Sequence, residues 1–370
     1  VRVLFVVPPL VGHVNPAVSI GAALVARGHE VAWAGHTEPV AALLPAGARF
    51  FPLGALPEAM VTSARARQVR GLESLQFLYE DFVVPLARAT APAIEALALD
   101  WRPDVIVADQ QAIAGALAAR RLGVRWATLC TTTGLLVDPL APFPKVKCWI
   151  QAQLAALGLP EGDLSPQLVL ALSTPELAGA RDYPPAIRFV GPAFADRPDA
   201  TPFPWDALAP GRKVLVSLGT VNAERGAAFF AAAIAGVRDA QLILVAPPGL
   251  VPDPPPHVLV RPRVPQVALL PHVDAVVTHA GHNTVCEALA HGVPLVCAPI
   301  RDDQPVVAGQ VVAAGAGLRV RFAHPSPSTL GDAVARVLAE PTFAEAAARI
   351  GASFRAAGGA ARAAELIEEM

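Results

Sequence analysis

Twice along this chain, short runs of β-branched residues alternate with alanine-rich stretches of helical period, and a proline-rich segment separates the two blocks. In the first block Arg2 to Val7, Glu30 to Ala34, Asp104 to Ala108 and Arg125 to Cys130 read as buried strands, with helices predicted over Asn15 to Arg27, closed by Gly28, and over Gln111 to Arg121. In the second, Val214 to Ser217, Gln241 to Val245, His257 to Arg261, Ala275 to Thr278 and Pro294 to Ala298 repeat the rhythm. Such alternation closes as a parallel sheet with helices on its faces. The predicted fold is therefore α/β: two Rossmann-like parallel-sheet domains facing each other across a cleft, with ligands at the carboxyl ends of the strands. The predicted boundaries are a first domain over 1–190, a linker over 191–204, and a second domain over 205–370, whose last helix, Arg362 to Met370, is free to dock on the first.

A chain of 370 residues exceeds the size at which single cores usually stop growing, which also favours two domains. With 54% hydrophobic residues, 16% charged residues and a formal net charge of -2, it is a densely cored protein without the basic footprint that nucleic acid requires. Cys130, Cys148, Cys286 and Cys297 show no metal-ligand spacing and read as free thiols in a reducing cytoplasm. No apolar stretch is long enough to predict stable membrane insertion. Residues 55–100 break the strand rhythm as a helical insertion, and Phe77, Leu78, Tyr79 and Phe82 there, with Trp149, point to a hydrophobic acceptor.

The most informative segment is His279-Ala280-Gly281-His282-Asn283-Thr284-Val285-Cys286-Glu287. A strand ends at Thr278, a glycine turn follows, and Asn283 or Thr284 can open a helix, so backbone N–H groups and the positive end of a helix dipole meet where a diphosphate would sit. His279 and Thr284 can add hydrogen bonds, and Glu287 can accept from ribose hydroxyls. Asp302-Asp303-Gln304, after the next strand, offers acceptors and an amide for a sugar.

These residues, with Pro265-Gln266 upstream and Gly12-His13-Val14-Asn15-Pro16 near the amino terminus, resemble the large family of inverting GT-B nucleotide-sugar glycosyltransferases that includes plant and antibiotic-pathway enzymes. Their donor signature runs from Pro-Gln through His-x-Gly-x-Asn-(Ser/Thr)-x-x-Glu to Asp-Gln. The resemblance implies a hexose or deoxyhexose moved from a UDP- or dTDP-sugar to a hydroxyl of a small natural-product acceptor, with His13 as general base oriented by Asp109. It implies a donor site of Thr220, Arg263, Val264, Gln266, His279, Gly281, His282, Asn283, Thr284, Glu287, Asp303 and Gln304. Arg263 stands where the plant pattern has a Trp stacked on the base, a role a guanidinium can also fill.

His13 is the natural group to take a proton near neutral pH, and it lies in the turn before a helix. Asp109 either stabilises the imidazolium or caps the Gln111 helix. Thr220 ends the Ser217-Leu218-Gly219 strand turn, and His282 either lines the sugar pocket or packs. Thr131, Thr132 and Thr133 border the acceptor by position alone, while Arg65, Arg67 and Arg70 read as a solvated helix face. His29, His36, His257, His272, His291 and His324 read as structural. With no Asp-x-Asp motif and no ligand cluster, neither metal nor cofactor is expected. The expected partners are the nucleotide-sugar donor and the small acceptor, for a monomer or homodimer whose two halves close on both. A glycoside hydrolase would need paired carboxylates across a bond; the alternatives are a nucleotide-sugar epimerase of the same fold, which would be expected to use acidic residues around the sugar, and a catalytically silent sugar-nucleotide binding protein, against which His13 and Asp109 argue.

Overall fold

Both blocks close into wholly parallel sheets. The computed structural model describes residues 1–54, 56, 72–134, 136–138, 140–194, 201–219 and 226–370. Its first sheet has seven strands in the order β3-β2-β1-β4-β5-β6-β7. These are β1 (Arg2–Val6), β2 (Glu30–Gly35), β3 (Arg49–Pro52), β4 (Val105–Asp109), β5 (Arg125–Cys130), β6 (Leu168–Ala171) and β7 (Ile187–Phe189). The second has six in the order β10-β9-β8-β11-β12-β13: β8 (Lys213–Ser217), β9 (Gln241–Val245), β10 (Val258–Arg261), β11 (Ala275–Thr278), β12 (Leu295–Cys297) and β13 (Gly317–Arg319). In each, the strand order reverses beside the first strand of the block, β1 or β8, and ligands bind outside the carboxyl ends at such a point.

The central strands are apolar on both faces, as crossover helices on each side demand. Val3, Leu4 and Phe5 of β1 and Val214, Leu215 and Val216 of β8 are fully buried, and Phe5 stacks on Trp33 of β2 with centroids 4.6 Å apart. The helix Leu75–Trp101 has the length and apolarity of a membrane span. It packs Val83, Val84, Ala91 and Ile94 into the core over the first sheet, as the core helix of a globular domain does.

The chain divides into two units, with one crossing, between Asp196 and Arg197, inside the proline-rich 191–204 segment and the others at places the composition did not mark. The first comprises Val1–Thr174, Arg181–Asp196 and Ala356–Met370; the second comprises Pro175–Ala180 and Arg197–Arg355. Leu177, from the short stretch that leaves the first unit, is buried in the second unit's core with Leu215, Leu269 and Val307. The terminal helix Gly359–Glu368 returns to the first unit. Its Ala363, Ala364, Leu366 and Ile367 bury against Val14, Ala17, Val18 and Leu24 of the 11–26 helix, and its Glu368 accepts from Arg27 and His29. A burial pattern recurring every three to four residues drives this docking.

Candidate active site

Three neighbouring strand ends of the first unit bring His13, Asp109 and Thr131 together. β1 lies beside β4, and β4 beside β5; His13 follows β1, Asp109 ends β4, and Thr131 is the residue after β5. His13 is in the first turn of the Val11–Ala26 helix rather than in a turn ahead of it. Leu10 is extended, and its carbonyl accepts from the amides of His13 and Val14 at 2.9 and 3.0 Å. The helix predicted from Asn15 thus starts four residues earlier, at Val11, and Pro16 lies inside it.

The Asp109 carboxylate is the hub. His13 Nδ1 lies 2.9 Å from Oδ1 and 3.0 Å from Oδ2, the amide of Gln111 donates to Oδ1 at 2.8 Å, and the Thr131 hydroxyl donates to Oδ2 at 3.2 Å. The Asp109 side chain is 0% exposed and that of His13 15%. A buried carboxylate can only accept, so it fixes the imidazole proton on Nδ1 and leaves the lone pair on Nε2. Thr131 Oγ1, 2.7 Å from Nδ1, shares that proton while passing its own to Asp109. The helix predicted from Gln111 begins only at Ala114, with Ile113 at its N-cap and no side-chain cap, so Asp109 does not cap it and instead binds the Gln111 amide in the preceding turn while it grips His13. Thr131 is the residue whose part in this network position alone did not disclose; its place directly after β5, next to β4, is the signal. Burial, and then Asp109, push the neighbouring Cys130 thiol well above its ordinary pKa, which makes it a poor nucleophile.

In the second unit His279 follows β11, and its ring is wedged between two glycines. A Cβ on Gly219 would meet His279 Cε1 at 2.7 Å, and one on Gly281 would meet Nε2 at 2.5 Å. Ala280 between them holds φ +66°, a left-handed conformation that costs a non-glycine residue ~1–2 kcal/mol. Burial lowers the His279 pKa to about 4 against the opposing effect of Asp303 and a hydrogen bond with the Ser217 backbone. The ring is therefore neutral at pH 7, a hydrogen-bonding group and not the cation that would offset a diphosphate by charge.

The helix after it spans His282–Ala290 and opens at Gly281, slightly earlier than Asn283 or Thr284. His282 is buried with Nε2 3.5 Å from Cys286 Sγ. Asn283 and Thr284 are half-buried in the first turn, and Glu287 is one turn on. Gln266 Nε2 donates to Glu287 Oε2 at 2.5 Å and reaches Thr284 Oγ1 at 3.5 Å. Burial pushes the Glu287 pKa up, opposed by Gln266. Arg263 is exposed on the loop after β10, and Val264 beside it packs on the second unit's core. Asp303 is the N-cap residue of the Gln304–Ala313 helix. Gln304 is buried and turns Oε1 back onto the amides of Ile300 and Arg301 at 2.9 and 3.0 Å, so its carbonyl shapes the loop and only its NH2 remains for a sugar. Thr220, like Arg65, Arg67 and Arg70, lies outside the described residues. Tyr79 and Trp149 pack edge to face at 6.2 Å, with Tyr79 in the first unit's core.

A family model described as UDP-glucoronosyl and UDP-glucosyl transferase matches residues 208–355. The chain is 31% identical to 4'-demethylrebeccamycin synthase of Lentzea aerocolonigenes, over 99% of either chain. Among solved structures it resembles the glycotransferase of kitacinnamycin, with a TM-score of 0.79 and 29% identity over 100% of this chain and 98% of that one. It also resembles glycosyltransferase VinC in complex with DTDP, with a TM-score of 0.74 and 25% identity over 100% and 99%. Two parallel sheets, a motif-bearing helix start and full-length similarity agree: the chain belongs to the UDP-glucoronosyl and UDP-glucosyl transferase family and is a glycosyltransferase of the GT-B fold.

Proposed function

We propose that this glycosyltransferase moves a hexose or deoxyhexose from a UDP- or dTDP-sugar to a hydroxyl of a small, hydrophobic natural-product acceptor, with inversion. The observation that carries the reading is the clamp on His13 Nδ1 by Asp109 and Thr131. His13 Nε2 takes the proton of the acceptor hydroxyl, and its oxygen forms the new bond to the anomeric carbon. The bond from that carbon to the diphosphate breaks, and the diphosphate leaves with the electron pair. Asp109 stabilises the imidazolium formed. The amides opening the 282–290 helix, with hydrogen bonds from His279 and Thr284, receive the leaving diphosphate without a divalent ion. Glu287, held by Gln266, accepts from the ribose, Arg263 stacks on the base, and Asp303 with the Gln304 NH2 holds the sugar. An epimerase would have no part for the clamped histidine.

Support for both donors comes from the relatives: the family is named for UDP-linked sugars, and VinC binds DTDP. Mass spectrometry of a panel of UDP- and dTDP-sugars with aromatic and polyketide-like alcohols, in excess EDTA, tests the reading. Transfer by the wild-type chain is expected, with a 10²–10⁴-fold loss in His13→Ala and unchanged nucleotide binding. Full activity of His13→Ala would remove the base; complete loss in EDTA restored by Mg²⁺ would remove the metal-free mechanism.

A further inference from the structure

His36, next to the end of β2, is 3% exposed and points into a recess. Its Nδ1 lies 2.9 Å from the carbonyl oxygen of Gly54. A carbonyl can only accept, so the proton is on Nδ1 and Nε2 carries a lone pair. Among the described residues nothing pairs with Nε2. A buried acceptor left without a donor is costly, and native proteins rarely retain one without a use.

The recess walls include Val6, Val7, Ala112, Ala114 and Thr90. Val6 and Val7 lead from β1 toward His13, and Ala112 donates its amide to the Asp109 carbonyl at 2.8 Å. The segments just before His13 and just after Asp109 therefore also line this recess. β2 pairs with β1, matching Ala34 to Val6, which sets His36 one strand away from them. Thr90 spends its hydroxyl proton on the Leu86 carbonyl at 2.7 Å. Both side-chain polar groups on the wall thus present acceptors. The cavity, about 10 Å³, fits one oxygen-sized group and no ring.

We propose that this recess is a specificity subsite of the first unit, in which His36 Nε2 accepts a hydrogen bond from a second hydroxyl of the acceptor, one that is not glycosylated. The proposal rests on the reading of the first unit as the acceptor half. A carbonyl, ether or carboxylate in the same place would face lone pairs, so the site selects O–H. An ordered water satisfies the same chemistry, and the experiment separates the two.

The probes are phenol and anisole, which differ by the O–H, titrated into the full chain carrying ¹⁵N-histidine and ¹³C-methyl alanine. Phenol is expected to shift the His36 Nε2 resonance and the Ala112 and Ala114 methyls, and anisole to leave them in place. In His36→Phe the phenol dissociation constant read from those methyls is expected to rise about two- to tenfold, the range of one hydrogen bond, and His36→Gln, which keeps an acceptor, to recover part of it. His36→Gln also serves if the Phe variant fails to fold. A His36 signal that phenol leaves unchanged, the mark of a resident water, overturns the proposal. So does a response at His13 alone, which would leave the acceptor half intact. Silence at both histidines overturns the subsite, and the transfer assay then decides separately whether the functional reading stands.

Discussion

Replacing Asp109 by Asn tests the catalytic reading with the least structural disturbance. The two side chains are isosteric, and the carboxylate is wholly buried, so solvent cannot fill in for the lost charge. Both oxygens lie about equally far from His13 Nδ1, at 2.9 and 3.0 Å. Whichever way the amide is turned, its oxygen therefore stays within hydrogen-bond distance of the Nδ1 proton. With the amide oxygen toward Gln111 the 2.8 Å turn bond survives, so folding should change little. What disappears is the attraction between carboxylate and imidazolium. At a charge separation of ~4 Å and an effective dielectric near 20 that attraction is ~4 kcal/mol, or about 10³ in rate.

The assay is kcat with a saturating nucleotide sugar, alongside the thermal midpoint and the binding of the nucleotide diphosphate. A fall of 10²–10³ in kcat, with the midpoint within a few degrees and nucleotide affinity unchanged, is expected. A rate within threefold of wild type would mean that no imidazolium develops at His13 in the limiting step, and the base would have to be sought elsewhere. A fall in rate that tracks a fall in the midpoint would make Asp109 a folding residue through its Gln111 bond.

Thr131→Val removes one donor to Asp109 and the second acceptor of the Nδ1 proton; a hydrogen bond to a charged group is worth ~1.5–3 kcal/mol, so kcat should fall about tenfold or more while nucleotide binding stays put, and an unchanged kcat would take Thr131 out of the network. Gly281→Ala has an allowed backbone, φ -62° and ψ 134°, so its effect comes from the 2.5 Å approach to the His279 ring; calorimetry should show nucleotide diphosphate affinity down by the ~1–3 kcal/mol of an overpacked site, and full affinity would exclude the wedge. Glu287→Ala should cost the nucleotide ~1–3 kcal/mol by stranding Gln266 and a ribose hydroxyl, with an unaltered KM for the acceptor; undiminished nucleotide binding would move the ribose site. His279, with a folded pKa of about 4 and an unfolded value near 6.5, leaves the unfolded chain holding more protons between those values, so unfolding free energy should fall as pH drops through that window, by on the order of 3 kcal/mol. Asp163, raised by burial to about 6, acts in the opposite direction between its unfolded and folded values, so the contribution is read as the pH-dependent difference between wild type and His279→Asn in chemical denaturation; parallel curves would refute it.

The central strands and the motif helix were legible because their signal is local. β5, β9 and β11 fall where the apolar runs place them, since a strand buried on both faces must be apolar throughout. β3, β7 and β13 are edge strands, only partly buried, and carry no continuous apolar run to read; β6, four buried residues, is not legible either. Of the unit boundaries only the one at Asp196–Arg197 lies in the proline-rich segment; those around Pro175–Ala180 and at Arg355–Ala356 are the least legible. Nothing local distinguishes Pro175–Ala180 from what precedes it, yet Leu177 is buried in one cluster with residues as far along the sequence as Val307 and Phe354. The terminal helix likewise depends on a face presented by residues 14 to 24, which no window around Gly359 contains. The pairing of Asp109 with His13 is legible from the two strand ends and the family motif, but the part of Thr131 is not, because Thr131 becomes their neighbour only through sheet order.

That sheet order also explains why so few residues carry so much of the site. In a parallel sheet all carboxyl ends lie along one edge, and the amides that open each following helix collect there. The first unit uses adjacent ends at β1, β4 and β5 to hold one imidazole by a buried carboxylate and a hydroxyl. The second uses the adjacent ends of β8 and β11 to wedge one imidazole between Gly219 and Gly281. The environments drive the two histidines to different chemistry. His13 Nδ1 faces a buried carboxylate, whereas burial lowers the His279 pKa to about 4 and leaves that ring an uncharged hydrogen-bonding group at pH 7. A carboxylate introduced beside His279 should therefore raise the pKa of that ring from about 4, and an NMR titration that leaves the ring where it is in the wild type would refute the account of its surroundings.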